Sequence, residues 1–297
     1  GLETVLKQEA PALKDVIINI VPSNIFKAFT EANMLQVIFF ALIFGITLNL
    51  IKENNLKLKQ AILLLNDLFL KMIEVIMHIA PYGVFFLIFK TFLTQGFETI
   101  FELGEYFFTV LLVLIIHLIF TYGGLLLILG KINIFKFFSK MKNSMLFAFS
   151  TSSSAATIPI NLKTVEENLG VKKSVASFTV PLGATINMDG TAIMQGVATV
   201  FIANTYGIDL SLADFMSVIL VATLASIGTA GVPGVGLIML TMVLNQVGLP
   251  VEGIALIIGI DRILDMTRTA VNVTGDATIS CIVAKIEKKL DIKKLNS

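Results

Sequence analysis

Tryptophan is absent from the 297 residues, cysteine occurs once, histidine and arginine twice each, and only 14% of the chain is charged. A lone Cys281 excludes an intrachain disulfide framework and reads as a small core residue. His78 and His117 stand singly in apolar segments and read as packed or interface residues. With no clustered Cys or His, zinc and copper are disfavoured. No Ser/His, Cys/His or metal-ligand pairing shares a depth, which speaks against an intramembrane enzyme. The formal net charge of +1 sets 22 basic against 21 acidic residues, so no nucleic-acid partner is expected.

What the chain does have is apolar bulk. It is 56% hydrophobic with 23 Phe and a mean hydropathy of +0.88. Those values describe an all-α polytopic membrane protein with lipid as a partner. The chain does not open with Met, and Gly1 to Phe29 lacks the basic start and apolar core of a signal peptide. It is read as a processed or N-terminally truncated piece.

Apolar segments able to cross a bilayer lie at about 34–51, 68–94, 106–130, 175–206 and 253–284. Two more, near 137–169 and 212–248, are interrupted. The first contains the polar run from Ser150 to Thr157 and then Pro159; the second contains Ser226, Gly228, Thr229, Gly231, Pro233 and Gly234. Such runs break helices, so each segment is expected to be two half-helices meeting at a tip, the first tip spanning Ser152 to Thr157. Irregular backbone at membrane depth survives only inside protein or beside water.

Lysine placement argues that both segments turn back. If they are re-entrant hairpins, at about 135–169 and 211–248, the loops at 52–59, 131–142, 163–173 and 285–294 share one side and gather most of the lysines. The loops at 95–105, 204–214 and 245–252 share the other side and carry acids but no Lys or Arg. Cytoplasmic loops hold the Lys/Arg excess, so the C-terminus is cytoplasmic. Each hairpin is followed by one spanning helix, giving inverted hairpin-plus-helix repeats, the mark of a secondary transporter. Asn187-Met188-Asp189-Gly190-Thr191 and Asn272-Val273-Thr274-Gly275-Asp276 echo each other weakly in the two helices.

Both arginines fall in the last of these helices. Asp261, Asp265, Arg268, Asn272 and Asp276 step by three or four residues and share one face, with Arg262 off it by about 100°. Intramembrane charges normally face a partner, a cavity or a substrate. A guanidinium forks onto a carboxylate, and a carboxylate holds an ammonium, so Arg268 with Asp265 suits an acidic zwitterion. Carboxylates of Asp189 and Asp276, the amides of Asn187 and Asn272, and carbonyls loosened near Gly183 or Gly190 suit a hard monovalent cation. Simple pairing with arginine, or protonation, is the competing account of those two acids.

Ser152-Ser153-Ser154, Asn187 to Thr191, Ser226 to Gly234 and Asp265 to Asp276 together resemble the dicarboxylate/amino acid:cation symporter family, the glutamate transporters, from about Val21 onward. The resemblance implies that Arg268 meets the substrate side-chain carboxylate and Asp265 its amino group. Asn272 and Ser154 would hold the main-chain carboxylate, with Ser153 and Thr269 also in the set and Thr191, Val232 and Gly236 closing the pocket. One sodium site would use Gly183, Asn187, Asn272 and Asp276; another, backbone groups of Thr185, Met188, Ser226, Ile227 and Thr229. A third would involve Asn187 and Asp189 with an earlier helix absent here. Ser152 stands where archaeal members have Arg, and Arg262 is a candidate electrostatic substitute.

The implied protein is a homotrimeric elevator-type symporter in a bacterial inner membrane. Residues 1–94 would be a scaffold remnant and 95–297 the transport domain. It would move aspartate or glutamate with Na+, or with H+. A C4-dicarboxylate carrier or a proton-coupled carrier of the same fold is the alternative. An ion channel is a further class, separated by the absence of stoichiometric substrate-coupled flux.

Overall fold

The computed structural model describes residues 18, 20–30, 34–51, 56–77, 82, 85, 86, 89 and 98–296, except 228 and 230. The expectations for His78, Gly228 and most of the 68–94 segment beyond Met77 lie outside the described residues. Those described are helical, with one isolated antiparallel bridge between Val171 and Leu290.

Among the described residues, α1 (Ile25–Thr30), α2 (Met34–Leu50) and α3 (Leu56–Met77) precede the core. Helix α4 (Glu98–Ile116) continues through a π-helical turn (His117–Tyr122), a short α turn (Gly123–Leu125) and a second π turn (Leu126–Gly130). From Phe101 to Gly130 it is the one helix among the described residues long and apolar enough to cross a membrane.

The first interrupted segment folds as α5 (Ile134–Thr151) and α6 (Ser154–Lys163), packed on each other. Asn133 caps α5, its side chain accepting from the Lys136 amide at 3.1 Å. The turn is tighter than the sequence implies, because only Ser152 and Ser153 leave the helix. Ser152 takes the left-handed conformation at φ 52°, while extended Ser153 caps α6 by accepting from the Ala156 amide at 3.1 Å. Thr157 and Pro159 therefore sit inside α6 rather than in the break. Serine hydroxyls offering rival hydrogen bonds end the helix here, and the proline does not.

The expected span 175–206 is likewise not continuous. It is α7 (Lys173–Ile186) and α8 (Asp189–Thr205), parted where Asn187 (φ −103°, ψ 81°) and Met188 (φ −114°, ψ 48°) leave helical geometry. The second interrupted segment gives α9 (Leu212–Ile227) and α10 (Val235–Gln246), which also pack together. Ser211 and Asp214 form a reciprocal capping box at the start of α9. Gly234, at φ 79°, opens α10 from the left-handed region that glycine tolerates.

Helix α11 (Ile254–Ile286) is the axis of the molecule. Its first half shares a core with α4, α8, α9 and α10, including Val110, Leu114, Met194, Leu240, Ile257 and Leu264. Its second half shares another with α5, α6 and α7, including Phe137, Met141, Val180, Ala277 and Cys281. Small residues at Ala270, Ala277 and Ala284 let α5 and α7 approach closely, the packing that joins helices where the hydrophobic effect between them is weak. The polar face of α11 lies where the two cores meet.

The tail folds back as a strap. Lys172 N–H donates to Lys289 O at 3.0 Å and Asp291 N–H to Gly170 O at 2.8 Å, and Leu295 of α12 (Ile292–Asn296) is buried in the second core.

Candidate functional site

Asp261, Asp265, Arg268, Asn272 and Asp276 are all buried, as their common face requires, whereas Arg262 is exposed. Arg268 is 1% exposed and donates to both Asp261 oxygens, at 2.5 and 3.3 Å, and to Asp265 Oδ1 at 3.0 Å. Asp265 Oδ2 accepts from the Gly234 amide at 3.1 Å, tying the second tip to this cluster. Arg262 takes no part in it, so a role facing the substrate in place of an arginine at Ser152 finds no support in this geometry.

Gly236 packs close to Arg268. A Cβ there would meet Met194 Cε at 3.2 Å, Thr191 Cγ2 at 3.3 Å and Arg268 Nη2 at 3.5 Å, so Thr191, Gly236 and Arg268 are mutual neighbours. Thr269 is buried but its hydroxyl is turned to the Asp265 carbonyl at 2.8 Å, a bond within its own helix.

The two tips touch. The Gly231 carbonyl accepts from the Ser153 hydroxyl at 2.7 Å and from the Ala155 amide at 3.1 Å. A Cβ on Gly231 would also lie 3.1 Å from Ser154 Cβ and 3.2 Å from the Ala184 carbonyl. Ser153 and Ser154 are thus brought against the second tip, which also carries Val232.

Asn187, Asn272 and Asp276 form a linked group across the α7–α8 break. Asn187 Nδ2 donates to Asn272 O at 3.1 Å and to Asp276 Oδ1 at 2.9 Å, and Asn272 Oδ1 accepts from the Gly190 amide at 2.8 Å. Gly183 joins them: a Cβ there would overlap the Asp276 carboxylate. Asp276 Oδ2 is buried with no hydrogen-bond partner among the described residues. A desolvated carboxylate oxygen without a donor is unfavourable unless a cation meets it, and oxygen donors of this kind suit a hard one. The residues present fit the sodium site that the resemblance implies.

The second set is not knit in this way. Thr185 is exposed and bonds Pro181 O, while Ser226 and Thr229 bond carbonyls of their own neighbourhood, Thr223 O and Ala225 O. The Met188 carbonyl accepts from the Thr191 and Ala192 amides. No hydrogen bond joins Thr185 or Met188 to Ser226, Ile227 or Thr229 among the described residues.

Asp189 is held from α4's continuation. Tyr122 donates to Asp189 Oδ2 at 2.8 Å, and His117 Nε2 lies 3.1 Å from the same oxygen. The two rings stack edge to face, centroids 4.6 Å apart. His117 is packed, as its sequence context implies, but packed onto a candidate ligand. Sequence reasoning missed Tyr122 altogether. Residues five apart diverge by about 140° on an α-helix and come much closer in direction on the wider π turn, which nothing in the composition announces. It also missed buried polar groups that find no hydrogen-bond partner among the described residues, the Tyr106 hydroxyl and the Gln195 amide among them. Their sole signal is polarity within otherwise apolar helices.

The molecule thus holds a buried guanidinium between two carboxylates, a buried carboxylate oxygen that no described donor meets, and two helical tips in contact. Comparison with known proteins gives the class to which this chain belongs. The model of the sodium:dicarboxylate symporter family matches residues 1–286, and the chain belongs to that family, one of membrane transporters and not of enzymes. The chain is 36% identical over 293 residues to a proton/sodium-glutamate symport protein of Geobacillus stearothermophilus, covering 99% of this chain and 69% of the relative. It is 34% identical over 295 residues to the proton/glutamate-aspartate symporter of Escherichia coli (97% and 66%). Over 258 residues it is 42% identical to human excitatory amino acid transporter 3 (86% and 49%). It therefore spans about two thirds of the bacterial relatives' length and about half of the human one's.

Proposed function

We propose that the chain forms the substrate- and cation-binding core of a symporter for acidic amino acids, aspartate or glutamate. The observation that carries this reading is Arg268, fully buried yet forked onto Asp261 and Asp265 directly beside Thr191 and Gly236. A buried fork of donors recognises a carboxylate bidentately. Asp265 supplies an anion for the ammonium group, which a C4-dicarboxylate lacks, and this favours an amino acid over the alternative cargo. Asn272, Ser153, Ser154, Val232 and Thr269 complete the proposed set. The relatives' names, which pair glutamate or aspartate with protons or sodium, agree with it.

Sodium is the proposed coupling ion, at Gly183, Asn187, Asn272 and Asp276, on the strength of the orphan Asp276 oxygen. Thr185, Met188, Ser226, Ile227 and Thr229 are the proposed second position, and Asn187 with Asp189 the third; proton coupling through the same carboxylates is the alternative. The α5–α6 and α9–α10 pairs are read as re-entrant hairpins entering from opposite sides, supported by the segregation of lysines. Their tips are joined through one carbonyl, and the second pair, the outer hairpin, is read as the gate of an elevator-type carrier. Residues 1–94 are assigned to a scaffold that trimerises. Exposed Leu42, Phe44, Leu64 and Phe69 along α2 and α3 call for lipid or protein neighbours. The proposed setting is a bacterial inner membrane with the C-terminus in the cytoplasm.

Uptake of labelled aspartate into vesicles, with sodium and proton gradients imposed separately, tests the reading. Accumulation driven by sodium alone is expected. No accumulation under either gradient sinks it.

A further inference from the structure

The partners of Arg268 pose a problem that the proposed function must solve. Both Asp261 oxygens accept hydrogen bonds from Arg268 and from nothing else among the described residues. If the guanidinium fork turns to a substrate carboxylate, Asp261 is left 3% exposed without a donor. An uncompensated buried carboxylate is strongly unfavourable, so a carrier that strands one binds its cargo weakly. A reserve donor has to stand nearby, idle while Arg268 holds Asp261.

Tyr106 meets that description. It lies on α4, which packs on both α8 and α11. Its ring rests against Phe201 of α8, centroids 5.2 Å apart, and shares the core with Ile257 and Leu264, which flank Asp261 along α11. The side chain is 2% exposed and its hydroxyl has no hydrogen-bond partner among the described residues. The groups within electrostatic reach of that hydroxyl include Asp261 and Arg268. A buried phenol normally finds a partner, and a phenylalanine would pack as well without leaving a hydroxyl unsatisfied.

We infer that Tyr106 is a positioning residue of the binding centre, whose hydroxyl takes over Asp261 when Arg268 turns to the substrate carboxylate. In the empty protein the guanidinium satisfies Asp261 and the phenol is idle. In the loaded protein the guanidinium serves the cargo and the phenol donates to Asp261. The exchange keeps the buried carboxylate hydrogen-bonded throughout and lowers the penalty of releasing Arg268. The inference rests on Arg268 being the substrate anchor, and assigns the residue that makes its release affordable.

The test uses the whole purified protein, aspartate and saturating sodium, with Tyr106→Phe and Tyr106→Leu. Removing an unpartnered hydroxyl leaves the empty protein's melting temperature unchanged or raised for Tyr106→Phe. Its aspartate affinity falls about tenfold to a hundredfold, the range for losing a hydrogen bond to a charged group. Tyr106→Leu, which also loses the ring, lowers both. Unchanged affinity in Tyr106→Phe overturns the inference. So does an affinity loss matched by a lower melting temperature of the empty protein, since that is the mark of a packing role. If wild type binds neither aspartate nor glutamate, the reading of Arg268 itself falls; wild-type binding with an unaffected Tyr106→Phe removes only the role of Tyr106.

Discussion

Arg268 and Asp261, seven residues apart on α11, are joined through both carboxylate oxygens in the buried middle of the molecule. Two helical turns separate them, and the arginine side chain spans the gap. Replacing Arg268 with Lys keeps the charge but loses the fork. Aspartate affinity is expected to fall about a hundredfold or more, the scale of breaking a buried charge pair. Binding isotherms on the purified variant check this.

Asp265 is the residue expected to distinguish an amino acid from a plain diacid. Asp265→Ser should weaken aspartate binding far more than succinate binding, because only aspartate brings an ammonium group. Competition of each against labelled substrate measures the ratio, and equal losses would count against an amino-acid cargo.

Gly183 lies where any Cβ overlaps the Asp276 carboxylate. Gly183→Ala therefore displaces a proposed cation ligand while adding only a methyl group. The sodium concentration giving half-maximal substrate binding should rise by about tenfold or more, on the reasoning that each 1.4 kcal/mol of lost coordination is tenfold. A sodium titration at fixed aspartate reads it.

The contact between tips hangs largely on one acceptor. Ser153→Ala removes the 2.7 Å bond to Gly231 O and the cap that accepts from Ala156 N–H. The expected loss is about 1–2 kcal/mol of local stability, seen as faster amide exchange at Ala155 and Ala156 with the second core unaffected.

Gly170 tests the strap. It sits at φ +77° with the Asp291 carbonyl 2.6 Å from where a Cβ would stand. Gly170→Ala should lower stability by about 1–3 kcal/mol through strain and displaced tail contacts, measured by thermal unfolding in detergent. By contrast, Arg262→Ala should leave uptake unchanged, since Arg262 is exposed and outside the Arg268 cluster.

Much of this arrangement could be read from spacing. The 3,4 steps from Asp261 to Asp276 put five polar residues on one face, and all five are buried. The interrupted segments at 137–169 and 212–248 are helix pairs meeting at short tips, because serine caps and left-handed glycine act locally. The break at Asn187 and Met188 was not legible in the same way. Asn187 leaves the helix where its side chain reaches Asn272 O and Asp276, partners 85 and 89 positions away.

Local chemistry thus determined where helices start, where they break and which face of α11 is polar, since caps and periodicity act within a few residues. Tertiary structure decided which polar groups meet. Asp261 rather than Asp265 alone holds Arg268, Tyr122 and His117 hold Asp189 from a π turn, and Gly231 joins the tips. Those pairings depend on how helices far apart in sequence pack around α11. Distance in space between them is fixed by the small residues and the two cores, which no local pattern encodes.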